Sequence, residues 1–173
     1  MDLYKFGIKL FLHNSKNYSA QKFIPVFHKW IQDKSLPGHL LIDVADYSHI
    51  PDGPGVMLIA HEGHFSLDQE NYQSGIMYMR KTKIEGDFIQ RFNKVLTTTI
   101  EAANRLSKNN INKEIDFIGN SIRFIANDRR IAENTLEKQN LYQDEVRKIL
   151  SEVYHASEVK YEDIANKNER LAF

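Results

Sequence analysis

The hydrophobic pattern of this chain changes period along its length, and this change restricts the fold more than any single motif does. Over residues 4–12, every second side chain is apolar, with lysine or glycine between them at residues 5, 7 and 9, which is the period of a half-buried β-strand. Over residues 87–107, apolar side chains recur every three or four positions, which predicts an amphipathic helix with Asp87 in its first turn. The chain therefore contains both strands and helices.

Two further helices are predicted, one before and one after the helix at residues 87–107. The earlier one covers about residues 20–34, and its regular part is expected to begin near Pro25 because proline has no N–H to donate inside a helix. The later one begins at a cap formed by Asn134 or Thr135.

Short apolar runs predict six more strands. They lie at residues 40–45, 56–60, 75–79, 115–118, 122–126 and 159–161. The first two runs are continuously apolar, which is typical of strands covered on both faces near the centre of a sheet. Gly119-Asn120 is typical of a tight hairpin turn, and the polar residues 68–74 are expected to form a hairpin loop. The element order is then β-α-β-β-β-α-β-β-α-β.

These elements predict a single globular α+β domain over residues 1–173. Adjacent strands with helices between the groups favour a two-layer sandwich, in which helices pack on a mixed, mostly antiparallel sheet. Strict alternation of strand and helix is missing, which disfavours a Rossmann-type sheet. A hydrophobic fraction of 42% with 27% charged residues is typical of a chain that builds its own core.

Composition excludes several classes of function. The 23 Lys and Arg residues equal the 23 Asp and Glu residues, whereas a nucleic-acid-binding protein usually carries an excess of basic charge. The absence of cysteine excludes disulfides, thiolate catalysis and iron–sulfur clusters. No apolar run approaches the length of a membrane helix, and the first residues lack the pattern of a signal peptide. We therefore expect a cytoplasmic protein with neither a nucleic acid nor a membrane as its partner.

Several segments of the chain resemble a family of uncharacterised bacterial proteins. They run from Pro25 to Gln32, from Leu41 to Tyr47, from Gly53 to Leu58, from His61 to Gly63 and from Asn127 to Arg129, followed by Asn134-Thr135. The resemblance spans most of the chain and implies a compact bacterial domain. It implies no reaction or substrate, because that family has no assigned activity.

Familiar catalytic motifs are absent from the sequence. His61-Glu62-Gly63-His64 has its histidines three positions apart and continues an apolar strand, whereas the zinc-protease motif needs a spacing of four on a helix. Gly53-Pro54-Gly55 is not followed by the lysine and hydroxyl residue of a phosphate-binding loop. The sequence therefore predicts neither of these two activities.

A group of carboxylate and imidazole side chains is the first candidate site. Its members are Asp43, Asp46, His49, His61, Glu62 and His64. Asp43 lies inside an apolar run, where an unpaired carboxylate would be costly, so we expect it to be buried and to accept hydrogen bonds or pair with a cation. The connection to the next run is too short for an ordinary parallel crossover, which favours antiparallel pairing. That pairing places Asp46 far from His61.

Three interpretations of this group stay open. In the first, Asp43 anchors a loop through backbone N–H groups and the histidines are ordinary surface residues. In the second, Asp43 or Glu62, with His61 nearby, belongs to a polar ligand pocket. In the third, histidines and carboxylates hold a metal ion. We expect no transition metal, because four convergent ligands are hard to assemble without cysteine and with histidines on opposite faces of a strand.

The segment Asn127-Asp128-Arg129-Arg130 is the second candidate site. It follows a predicted strand and precedes a capped helix, so guanidinium groups and backbone N–H groups together suit a phosphate or carboxylate. Adjacent side chains of an extended segment point apart, so at most one arginine is expected to reach a ligand, and Arg129 is favoured. The alternative is a turn in which Asp128 pairs with Arg129 or caps the local backbone.

Three classes of function follow from these observations. The favoured class is a non-enzymatic interaction or regulatory domain, because no catalytic arrangement meets the geometric requirements above. The alternatives are a protein that binds a small anion or other ligand, and a hydrolase or lyase that uses a histidine and a carboxylate. The expected partner is a protein or a small molecule, and a homo-oligomer is possible. No cofactor is identified.

Overall fold

A computed structural model describes residues 2–13, 18–109, 115–161 and 170–173. The described residues form six strands and three α-helices, which confirms the α+β class. The elements are β1 (Phe6–Leu12), α1 (Ile24–Gln32), β2 (Leu41–Tyr47), β3 (Gly55–Ala60), β4 (Gly63–Asp68), β5 (Gly75–Arg80), α2 (Phe88–Ser107), β6 (Phe117–Ala126) and α3 (Leu136–Tyr154). Short 3₁₀ turns at Ala20–Phe23 and Glu70–Tyr72 precede α1 and β5.

The strands form one sheet in the order β2-β3-β4-β5-β1-β6. Every strand pair within the described residues is antiparallel, so no parallel pair of the expected mixed sheet occurs among them. The first strand of the chain lies between β5 and β6, where Ile8 is opposite Tyr78 on one side and Phe124 on the other. Distant parts of the sequence therefore meet around β1.

Three differences separate the observed elements from the predicted order. The strand β4 was not predicted, and residues 69–74 connect it to β5 as the expected hairpin loop. No hairpin forms at Gly119-Asn120. Both flanking segments pair with β1, since Leu10 is opposite Ile122 and Leu12 is opposite Phe117. Between these two pairs β6 has four residues, 118–121, and β1 has one, so β6 forms a bulge and stays one strand. Residues 159–161 are not a strand, and Ala172 instead forms a bridge to β6.

The position of β2 in the sheet also corrects the sequence-based expectation. Its continuous apolar run predicted a central strand, but β2 is an edge strand that pairs only with β3 among the described residues. The side chains of Leu40 and Ile42 are 64% and 55% exposed. Hydrophobicity alone did not distinguish a buried strand from an exposed apolar edge.

The main core lies on the side of the sheet that contacts the helices. Helix α2 contacts β1 and β5, and α1 contacts β2. Phe124 of β6 joins three elements, because its ring centroid lies 5.3 Å from Phe6, 6.4 Å from Phe92 and 6.1 Å from Tyr142. The alternation of β1 places Phe6, Ile8, Leu10 and Leu12 in this core and turns Lys9 to the other side.

The helix starts follow from local side-chain chemistry. Asp87 is the N-cap of α2 and accepts a hydrogen bond from the backbone N–H of Gln90 at 2.8 Å, while the Gln90 side chain accepts from the Asp87 N–H. Thr135, one of the two predicted caps, accepts from the N–H of Lys138 and begins α3. Pro25 lies in the first turn of α1, as predicted. Within the described residues, no helix combines the length and hydrophobicity needed to cross a membrane.

Candidate functional site

A pocket of about 310 Å³ lies on the side of the sheet that carries Lys9, at the lower end of the usual range for small-ligand sites. We call it the arginine pocket. Its lining residues are Asp52, Glu70, Asn71, Arg123, Ile125, Arg129, Arg170 and Ala172. They come from the β2–β3 loop, the β4–β5 connection, β6, the segment after β6 and the C-terminal residues. Only the folded chain brings these five segments together.

Arg123 is the buried arginine of the pocket. It lies on β6 opposite Lys9, and only 4% of it is exposed. Its guanidinium group lies 5.3 Å from the ring centre of Phe11 and donates a hydrogen bond to the side chain of Gln73. These contacts hold a positive charge at a fixed position in the pocket wall.

Arg170 enters the pocket from the C-terminal residues. Residues 171–173 continue the sheet beyond β6, since the N–H of Ala126 donates to the carbonyl of Leu171 at 2.9 Å. One terminal nitrogen of Arg170 donates to the side-chain oxygen of Asn127 at 3.2 Å. The other lies 3.9 Å from Oε1 of Glu70. The second guanidinium group is therefore shared between Asn127 and Glu70.

Arg129 supplies the third guanidinium group, from the segment that the sequence indicated. Asp128 accepts from the N–H of Arg130 at 3.2 Å through its side chain and from the N–H of Ala132 at 2.9 Å through its carbonyl. The expected local cap at Asp128 is therefore present, and Arg129 in addition lines the pocket. Arg130 is exposed and does not belong to the lining. Among the described residues, Arg129 forms no side-chain hydrogen bond or ion pair.

Two acidic residues, Asp52 and Glu70, line the pocket together with the three arginines. Asp52 accepts a hydrogen bond from the backbone N–H of Asn71, which holds the β2–β3 loop against the β4–β5 connection. Burial, together with the nearby Asp68 carboxylate, raises the pKa of Glu70, while Arg170 and Lys9 act in the opposite direction. The pocket therefore carries charges of both signs, with one more guanidinium group than carboxylates.

A buried ion pair lies next to the pocket. Nζ of Lys9 contacts Oδ1 of Asp68, and the side chains are 0% and 1% exposed. The same carboxylate oxygen accepts from the N–H of Glu70 at 3.3 Å, which links the pair to the pocket wall. Among the described residues, the second oxygen of Asp68 is buried without a hydrogen-bond partner. Burial lowers the pKa of Lys9, although the Asp68 carboxylate opposes this effect.

Sequence reasoning missed several residues at this site. Lys9 was assigned to the polar side of an alternating strand, which is normally the solvent side, and Arg123 lies inside an apolar run. The argument that singled out Asp43, a charge between apolar neighbours, applies equally to Arg123 and would have found it. For Arg170 and Glu70 no local signal exists, because their roles depend on chain segments far away in sequence.

The prediction that Asp43 is buried is wrong. Asp43 lies exposed on the edge strand, where its side chain accepts the N–H of Val44 at 2.8 Å. Antiparallel pairing of β2 and β3 is confirmed, and it places Asp46 opposite Val56 while the N–H of His61 bonds to Leu40 at the other end. Asp46 and His61 are therefore far apart, as this pairing implied.

Glu62 and the histidines likewise do not gather into one site. His61 and Glu62 form the turn between β3 and β4, where the Glu62 side chain accepts the N–H of Leu40 at 2.8 Å. His49 is exposed in the β2–β3 loop, and His64 lies on β4 opposite Met79. Within the described residues, no three His, Asp or Glu side chains are placed to hold a metal ion. The expectation that no transition metal is needed stays a prediction, tested by elemental analysis of untagged protein.

A further polar cluster, also missed from the sequence, lies on the core side of the sheet. Nε2 of His39 is 2.8 Å from the hydroxyl of Tyr78, which also accepts from Arg80 at 3.2 Å. Burial lowers the pKa of His39 and raises that of Tyr78. Tyr78 is only 1% exposed, so this cluster fastens the segment after α1 to β5 and offers little access to a ligand.

Comparison of the chain with protein-family models, curated proteins and solved structures gives no match. The resemblance to uncharacterised bacterial proteins therefore stays a prediction. The arguments about function that follow depend on the geometry and chemistry of the site.

Proposed function

We propose that this protein binds a small anionic ligand in the arginine pocket and acts as a ligand-binding module. The observation that carries the proposal is the convergence of Arg123, Arg129 and Arg170 on one pocket of about 310 Å³. Guanidinium groups are planar, permanently charged donors that recognise carboxylate or phosphate oxygens in pairs. Among the classes expected from the sequence, this function is the alternative of a protein that binds a small anion, whereas the favoured class was an interaction or regulatory domain.

Arg123 and Arg129 suit this role in different ways. Arg123 is held by Phe11 and Gln73, so its charge is already in position before a ligand arrives. Arg129 forms no side-chain bond within the described part of the chain and is available to close on a ligand. The expected two-layer arrangement would also suit ligand binding, because helices confined to one face of the sheet leave the other face for a ligand.

Thermal unfolding in phosphate tests the proposal, with chloride at matched ionic strength as the reference. A ligand at about 100 times its Kd stabilises the folded state by about 2.7 kcal/mol. For a chain of this size, that corresponds to a rise in Tm of roughly 5–10 °C. We expect Arg129→Ala to lose this rise and Arg130→Ala, its neighbour outside the pocket, to keep it. Equal responses of the two variants would refute anion binding in this pocket.

A second candidate function is self-association through the edge strand β2, which the exposed side chains of Leu40 and Ile42 favour. Antiparallel pairing centred on Ile42 would set Asp43 opposite Leu41 of a second copy, so the carboxylates of Asp43 would not face each other. Sedimentation velocity over a range of concentrations tests this candidate. We expect a dimer that Ile42→Asp abolishes, and a wild-type chain that stays monomeric would exclude it.

A further inference from the structure

We propose that the ligand of the arginine pocket is a small zwitterion, with a carboxylate or phosphate group that binds the arginines and an ammonium group that binds Asp52 and Glu70. This inference rests on the proposed function and makes it more specific. Five charged residues line the pocket, three arginines and two acidic residues. A ligand that complements these five residues carries charges of both signs.

A simple anion fits the arginine pocket less well than a zwitterion does. It would be attracted by the arginines but would also be repelled by two nearby carboxylates of its own sign. The buried cation of Lys9 does not compensate, because the adjacent Asp68 carboxylate balances its charge. An ammonium group on the ligand turns this repulsion into attraction.

The two carboxylates keep acceptor capacity for such a group. Oδ1 of Asp52 accepts the N–H of Asn71, and the other oxygen of this exposed residue makes no hydrogen bond among the described residues. The contact between Glu70 and Arg170 is long, at 3.9 Å, so Glu70 is only loosely engaged. Both can accept from an ammonium group without breaking a short hydrogen bond to another side chain.

The arginines set the position of the anionic group. The guanidinium group of Arg170 is hydrogen-bonded to Asn127, and that of Arg123 to Gln73, so the protein holds both groups in position. Carboxylate and phosphate oxygens share the chemistry that guanidinium groups recognise. The test therefore includes one zwitterion of each kind.

Calorimetric titration with two matched pairs of compounds tests the inference. The first pair is glutamate and glutarate, which lacks the amino group. The second pair is phosphoethanolamine and propyl phosphate, in which a methyl group replaces the ammonium group. We expect the zwitterion of at least one pair to bind 10-fold or more tightly than its partner, and the pair that shows this identifies the anionic group.

Variants of Asp52 and Glu70 link the preference to the structure. In the double variant Asp52→Asn with Glu70→Gln, we expect the preference for the zwitterion to disappear while the amine-free compound binds at least as tightly as before. The variant Arg130→Ala should bind all four compounds like wild type. Asp52→Asn and Glu70→Gln keep side-chain size, and circular dichroism verifies that each variant is folded.

The possible outcomes separate this inference from the proposed function. If the amine-free compounds bind at least as tightly as the zwitterions and need Arg129, the pocket is an anion site and the zwitterion inference is wrong. If a preference for the zwitterion persists in the double variant, the inference is also wrong. If none of the four compounds nor phosphate binds, both proposals fail.

Discussion

The Nζ atom of Lys9 on β1 pairs with the Oδ1 atom of Asp68 on β4 across the intervening strand β5, and both side chains are almost fully buried. Gly75 on β5 makes this crossing possible. A β-carbon at Gly75 would overlap the carbonyl oxygen of Leu10 and lie 3.1 Å from Cε of Lys9. The backbone of one strand thus leaves room for an ion pair between its two neighbours.

Removal of one partner of this pair should destabilise the protein strongly. Asp68→Ala leaves the ammonium group of Lys9 buried without its counter-charge, which costs about 3–5 kcal/mol. The double variant Lys9→Met with Asp68→Leu should be less destabilised than Asp68→Ala, because no charge stays buried. Urea unfolding measures each free energy. Lys29→Ala, which breaks the exposed pair between Lys29 and Asp33, is the control and should cost less than about 1 kcal/mol. A midpoint for Asp68→Ala equal to that of this control would contradict the prediction.

A methyl group at Gly75 should also be costly. The strand would have to move away from Leu10 and from Lys9, and overpacking of this kind costs about 1–3 kcal/mol. Gly119→Ala is the matched control, because a β-carbon there meets no atom within 4 Å. We expect the control to be neutral or stabilised by up to about 1 kcal/mol through the lower entropy of the unfolded chain. Equal denaturation midpoints for the two variants would show that β5 has more room than its contacts indicate.

Glu70 should make stability depend on pH. Burial and the nearby Asp68 raise its pKa above the ordinary value of 4.5, so the folded protein holds this proton more tightly than the unfolded chain does. The resulting stabilisation is complete below pH 4.5 and is lost as the pH rises through the raised pKa. Glu70→Gln cannot titrate, so its free energy of unfolding relative to wild type should rise from about pH 4 to about pH 7.

Urea unfolding of wild type and Glu70→Gln at a series of pH values measures this difference. Glu133→Gln, an exposed position outside the pocket, controls for the loss of a glutamate. A difference between Glu70→Gln and wild type that stays constant with pH would show that Glu70 titrates alike in the folded and unfolded states.

Phe173 should couple the stability of the fold to the arginine pocket. Its ring stacks on Phe124 at 5.1 Å, and its N–H and carbonyl pair with the backbone of that residue. Phe173→Ala removes this packing, at a cost of about 3–5 kcal/mol, and releases the residues that position Arg170. We expect both a lower denaturation midpoint and a smaller stabilisation by phosphate. Phe173→Leu keeps most of the buried volume and should keep most of the phosphate response, so a response lost equally in both variants would argue against this coupling.

The features that the sequence determined are those that neighbouring residues control. The period of two in β1 and the helical period of α2 were predicted because a strand or helix shows its buried side within a few residues. Asp87 and Thr135 begin helices because their side chains reach N–H groups three positions ahead. The antiparallel pairing of β2 with β3 followed from the short connection between them.

Tertiary structure decided what depends on distant partners. An apolar run has the same sequence signal at the edge of a sheet as at its centre, so the positions of β2 and Asp43 were mistaken. The bulge that replaced the hairpin at Gly119 depends on β1, more than a hundred positions earlier. Arg123, Arg129 and Arg170 become one pocket because β6 and the C-terminal residues pair side by side. Strand order depends on the total apolar surface that the whole chain buries, and no local segment of the sequence determines that total.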